Sequence, residues 1–166
     1  MDKKVFDYKE RWKISEDPKG VEKSSEFQDL GTLRVDPERY VSKDFMKSEW
    51  ENIWTKTWLM ACSSSDIKNV GDYFNFNIGK ESIIVIRGND SQIRAFYNVC
   101  AHRGSRVCLE DEGSKNLLVC PYHAWSYNLD GSIRSARLMN NDFNPKDWKL
   151  HSCNVNIFEF LCSIVL

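Results

Sequence analysis

From Trp58 onward the chain changes its hydrophobic period from three or four residues to two. The segment "DYFNFNI" alternates, placing Phe74, Phe76 and Ile78 on one face of a strand. "SIIVIRG" is continuously apolar and rich in β-branched residues, the pattern of a strand buried on both faces. Gly79 and Lys80 turn the chain between these two, "GNDS" turns it again, and "QIRAFYNV" returns. Further on, "AWSYNL", Asp130-Gly131 and "SIR" spell a tight hairpin. Ahead of the strands, "YVSKDFMKSEWENIWTKTW" has the helical period. Ser42 suits its N-cap, Asp44 its first turn, and Met46, Trp50, Ile53 and Trp54 share one face. The tryptophans on that face are expected to pack the helix onto the next layer.

Together these segments predict a mainly β fold, a small antiparallel sandwich or barrel over residues 42–166 with a leading helix. Residues 1–41 are predicted to form an N-terminal arm. It is polar and broken by "EDPKG", and a short helix is expected near Tyr8 to Ile14.

Composition narrows the class. At 166 residues and 42% hydrophobic content the chain is long and apolar enough for one domain with a real core. A net charge of -1, with both signs interspersed, leaves no basic face, so nucleic acid is not an expected partner. No apolar run reaches the length of a membrane span, and "MDKKVFDYKERWK" lacks the apolar core of a secretory signal. A cytoplasmic location follows, where thiols stay reduced. The six cysteines then point to metal or reactive chemistry before disulfides.

The chemistry concentrates in "NVCAHRGSRVCLEDEGSKNLLVCPYHAW", residues 98–125, which holds two of the three histidines. Cys100-x-His102 closes the strand "IRAFYNV", and Cys120-x-x-His123 follows the apolar "NLLV". Two loops from one sheet would bring these four side chains together, with Gly104 freeing the first loop and Pro121 stiffening the second. Zinc accepts such donors, but its common fingers pair Cys with Cys and His with His, and here each pair is mixed. A mononuclear iron on two histidines and a carboxylate would leave the cysteines idle. An all-cysteine cluster needs four thiolates, and only Cys100, Cys108 and Cys120 are near. A Rieske [2Fe-2S] cluster, with two cysteines on one iron and two histidines on the other, accounts for the mixed pairing. A zinc ribbon stays open as the alternative.

"NVCAHRG" and "CPYHAWSYNLDGSI", with 17 residues between the two ligand pairs, resemble the Rieske domain of the ring-hydroxylating (Rieske non-haem iron) oxygenase α subunits. The likeness extends to "IWTKTWLMAC", "VGDYFNFNIGKESIIVIRG" and "IRAFYNVCAHRG" and covers roughly residues 34–140. It implies Cys100, His102, Cys120 and His123 as cluster ligands, in a two-loop cluster-binding subdomain. It also implies a ferredoxin or flavin reductase as electron donor and a mononuclear-iron oxygenase domain as acceptor. The respiratory branch carries an extra cysteine in each loop, joined as a disulfide. Ser105 and Tyr122 occupy those places here, which implies the oxygenase branch and a lower potential. Two positions depart from the family: Ala124 stands where glycine is usual and Ser126 where threonine is common.

The family's catalytic domain needs two further histidines. Once His102 and His123 hold the cluster only His151 remains, and it is read as an ordinary surface or core residue. The chain is therefore expected to carry single electrons, as a ferredoxin-like protein or the Rieske half of an oxygenase. The alternative is a subunit serving a hydroxylase or demethylase whose iron domain lies on another chain. Trp125 and Tyr127 could shield the cluster or simply pack the hairpin. Arg103 and Arg106 read as solvated loop charges. Cys62, Cys108, Cys153 and Cys162 read as small core or surface residues. The apolar ending "EFLCSIVL" suits an exposed edge, a contact between copies in a homo-oligomer, or a truncated reading frame.

Overall fold

The alternating and β-branched segments do become strands, all paired antiparallel. The computed structural model describes residues 36–137, 139 and 143–166. The predicted arm and its short helix near Tyr8 to Ile14 fall almost wholly outside them. Two short helices come first among the described residues, α1 (Glu38–Val41) and α2 (Lys43–Glu49). Ser42 caps α2 as expected, its hydroxyl accepting a hydrogen bond from the Phe45 amide at 3.2 Å.

The helix then widens into a π turn over Trp50–Trp54, which rotates the face predicted from an unbroken 3.6 period. Trp50 packs so closely on the β-turn glycine Gly79 that a Cβ there would lie 2.7 Å from the indole. Met46, Ile53 and Trp54 stay exposed, so the predicted packing face is realised mainly at Trp50.

Ten strands follow: β1 (Leu59–Ser63), β2 (Asp72–Ile78), β3 (Glu81–Arg87), β4 (Ile93–Tyr97), β5 (Glu112–Ser114), β6 (Leu118–Val119), β7 (Ser126–Tyr127), β8 (Ile133–Ser135), β9 (Ser152–Phe158) and β10 (Leu161–Val165). Seven form one sheet in the order β1-β10-β9-β4-β3-β2-β5, and β6-β7-β8 form a second. The β2–β3 hairpin turns on Gly79-Lys80, with Ile78 opposite Glu81 and Gly79 at φ 57°. The Asp130-Gly131 hairpin has a longer turn than the sequence implied. It spans residues 128–132, where the Asp130 carboxylate accepts from the Ser132 amide and hydroxyl. The apolar end is not an edge, because β10 lies between β1 and β9.

Two cores flank the large sheet, and β3 feeds both. Ile84 and Ile86 face the core that also holds Tyr73, Phe96, Leu118, Trp125, Tyr127 and Leu129. Ile83 and Val85 face the other, with Ile67, Cys62, Cys162 and Ile164, and Phe74, Phe76 and Ile78 pack against it as a set. This two-sided burial is why "SIIVIRG" shows no alternation. The first core bonds the small sheet to the large one. Gly131 approaches Phe96 too closely to admit a Cβ, and the Leu150 amide donates to the Gly131 carbonyl at 2.9 Å. No helix among the described residues is long and apolar enough to cross a membrane.

Candidate metal centre

The two cysteine–histidine loops leave different sheets, not one. Cys100 follows β4 of the large sheet, whereas Cys120 lies between β6 and β7 of the small one. Their backbones are nevertheless built alike. In the first, the Cys100 amide donates to the Ser105 carbonyl at 2.8 Å and the Gly104 amide to the Cys100 carbonyl at 2.9 Å. In the second, Cys120 donates to Trp125 at 2.8 Å and Ala124 to Cys120 at 3.0 Å. Each loop needs a left-handed residue at its fifth position, filled by Gly104 at φ 70° and by Ala124 at φ 57°.

The loops bring like donors together. The thiols of Cys100 and Cys120 are buried and adjoin each other, and burial, the larger influence, pushes the Cys100 thiol up. The His102 and His123 rings lie 4.7 Å apart, inclined by 68°. Burial, then the neighbouring His123 and Arg103, lowers the His102 imidazole, the direction that favours the neutral form a metal-binding histidine needs. No three His, Cys, Asp or Glu side chains among the described residues converge on the point a single ion would occupy. Two thiols beside two imidazoles suit a binuclear cluster, in which each iron takes only two protein donors. His102 Nδ1 is buried without a hydrogen-bond partner, which is costly for a nitrogen unless something binds it. The donor set therefore fits a Rieske cluster.

A wall of aromatic side chains backs the site. Trp125, fully buried, stacks on His102 with 4° between planes and 4.6 Å between centroids. Trp148 and Phe143 meet Trp125 edge-on at 5.3 and 5.6 Å. Tyr127 does more than shield. Its hydroxyl accepts from the Ala101 amide at 3.1 Å and lies 3.1 Å from Cys100 Sγ, to which it can donate. Burial, then the contact with Cys100, drives its acidity far below the ordinary phenol, so the proton stays on oxygen.

Asn98 escaped notice in the sequence and governs the first loop. Fully buried, it accepts from the Val107 and Cys108 amides at 2.9 Å each and donates to the Cys108 carbonyl at 2.7 Å. An asparagine two residues before a cysteine carries no signal of that role, since the partners lie nine and ten residues on. Cys108 is buried in the same core, its thiol pushed up to about 11 by burial. Arg103 and Arg106 are exposed, and His151 is exposed just before β9, its carbonyl accepting from the Tyr97 amide.

The paired donors, the twin loops and the antiparallel scaffold define a Rieske-type iron–sulfur domain. Residues 57–158 match the Rieske [2Fe-2S] domain family, and the chain belongs to it, with a Rieske-type [2Fe-2S] cluster as its cofactor. Its relatives are oxygenase α subunits. It is 38% identical to the carnitine monooxygenase oxygenase subunit of Escherichia coli K12, over 73% of this chain and 32% of that protein. It is 30% identical to the α subunit of benzene 1,2-dioxygenase from Pseudomonas putida, over 77% of this chain and 29% of that one. A solved quaternary ammonium Rieske monooxygenase, studied for carnitine oxidation and inter-subunit electron transfer, superposes with a TM-score of 0.72. The two are 35% identical over 77% of this chain and 36% of the other. The chain thus spans about a third of the length of the curated relatives it matches.

Proposed function

We propose that this chain relays single electrons through a [2Fe-2S] cluster whose one iron is held by Cys100 and Cys120 and the other by His102 and His123. The observation that carries the reading is the segregation of donors, thiols beside thiols and imidazoles 4.7 Å apart, with a buried and unpartnered His102 Nδ1. When bound, the cluster supplies a one-electron carrier with neutral donors at one iron, which raises its potential above that of an all-cysteine centre.

The protein's part is to hold and tune. The twin loops fix the donors, Trp125 and Tyr127 exclude water, and the Tyr127 hydroxyl offers a proton to Cys100 sulfur. Tyr122, exposed, lies against His123 at 3.8 Å, so the histidine side is the one a partner can approach. By analogy with the relatives, the acceptor is the mononuclear iron of an oxygenase domain, in the same polypeptide or another chain. The donor is a ferredoxin or flavin reductase. Six free cysteines accord with a cytoplasmic setting.

The test is metal and sulfide analysis followed by anaerobic reductive titration. Two irons, two sulfides and one electron per chain are expected, with no coupled product when oxygen and a panel of aromatic and alkylammonium substrates are added. His102→Cys should keep a cluster of altered spectrum and lower potential, because it restores negative charge at that iron. Stoichiometric zinc in protein made with ample iron would overturn the assignment.

A further inference from the structure

Two cysteines outside the metal centre face each other. Cys62 on β1 and Cys162 on β10 are Cα partners in the antiparallel register. Such partners lie about 4.5–5.5 Å apart, inside the roughly 4.4–6.8 Å that a disulfide bridges. Both are buried in the core that does not hold Cys100 and Cys120, near enough for each thiol to shift the other's acidity. Cys153 shares that core, but its sulfur meets the Val165 carbonyl at 2.9 Å.

We propose that Cys62 and Cys162 are a modification site, a dithiol that hydrogen peroxide converts to an intramolecular disulfide clasping β1 to β10. Cys162 is the attacking thiol. Burial raises its thiol too, but the neighbouring Cys62 and the Arg87 guanidinium oppose that rise. Cys62 lacks such support and is pushed up to about 12, chiefly by burial. In the first step Cys162 sulfur attacks a peroxide oxygen, the O–O bond breaks, and sulfenic acid and one water form. In the second, Cys62 sulfur attacks the sulfenic sulfur and the hydroxyl leaves with the Cys62 proton as a second water. Two thiols are oxidised and one peroxide is reduced.

Access comes from the sheet edge. β1 pairs with β10 alone among the strands, and its register shifts between Met60 and Cys62. An edge strand of this kind opens at lower cost than the interior. The bridge would close a loop containing both cysteine–histidine loops, restraining the unfolded chain and holding the first and last strands together.

The experiment treats the full chain, cluster loaded, with limiting hydrogen peroxide and maps its cysteines by mass spectrometry while the visible spectrum is followed. The expected result is a peptide pair joined through Cys62 and Cys162, an unchanged spectrum, and a melting temperature raised by about 5 °C or more. Dithiothreitol should reverse all of it, and Cys162→Ala should show neither cross-link nor shift. The proposal is overturned if both thiols remain alkylatable, if either stops at sulfinic acid without a cross-link, or if the cluster bleaches before the pair is joined. Mapping of the unaltered chain decides the matter even if the variant folds poorly.

Discussion

At the scale of single residues, the site's properties rest on groups that bind nothing themselves. Tyr127 is the plainest. Its hydroxyl is anchored by the Ala101 amide and keeps its proton, so it can donate to Cys100 sulfur. A hydrogen bond to a ligating sulfur stabilises the more negative, reduced state. Tyr127→Phe should therefore leave the iron content intact and lower the midpoint potential by roughly 60 mV, the one-electron equivalent of a tenfold change in equilibrium. A redox titration with the spectrum as readout checks this, and an unchanged potential would mean the contact is only packing. Ala124 is a second case. Its left-handed conformation costs a residue with a Cβ about 1–2 kcal/mol, part of which glycine returns as chain entropy. Ala124→Gly should stabilise the loaded protein by about 0.5–1 kcal/mol in urea denaturation, with the potential unmoved. The sequence showed the departure from glycine; only the backbone angle of 57° shows why it matters.

At the scale of elements, the cysteine–histidine loops are held by hydrogen bonds that cross between elements. Asn98, just past β4, ties the end of the first loop through the Val107 and Cys108 amides. From β2, two strands away in the sheet, Asn75 donates to the Cys108 and Glu110 carbonyls at 3.3 and 2.6 Å. Asn98→Ala would strand two buried amides, at a cost of about 1–3 kcal/mol each. A lower urea midpoint and fewer irons per chain are expected, and full occupancy at unchanged stability would show that the loop stands without it. The helix teaches a different lesson. The Ser42 cap was legible because capping is local chemistry, within three residues. The π turn was not, because a widened turn answers to the packing of Trp50 on Gly79, a residue distant in sequence.

At the scale of the whole molecule, one sheet separates two cores with different duties. Leu118 and Ile164 are both fully buried, the first beneath the metal centre and the second behind the sheet. Truncating either to alanine should cost about 2–5 kcal/mol. Leu118→Ala alone should also reduce iron retention, since its cavity opens where the small sheet meets the large one. Iron per chain measured on both variants under conditions where both are folded is the test, and equal retention would contradict the division.

The sequence by itself determined the two cysteine–histidine pairs, the class of cluster they suit, the antiparallel character of the fold and the buried standing of β3. These follow from donor chemistry and from periodicity, which are written in residues close together along the chain. Only the tertiary structure decided that the two loops come from different sheets, that Ala124 copies the geometry of Gly104, and that Asn98 and Tyr127 serve the first loop. It also decided that Cys62 meets Cys162. Each of these depends on strand register and on the approach of segments far apart in sequence, and a shift of one residue would turn every such side chain to the opposite face.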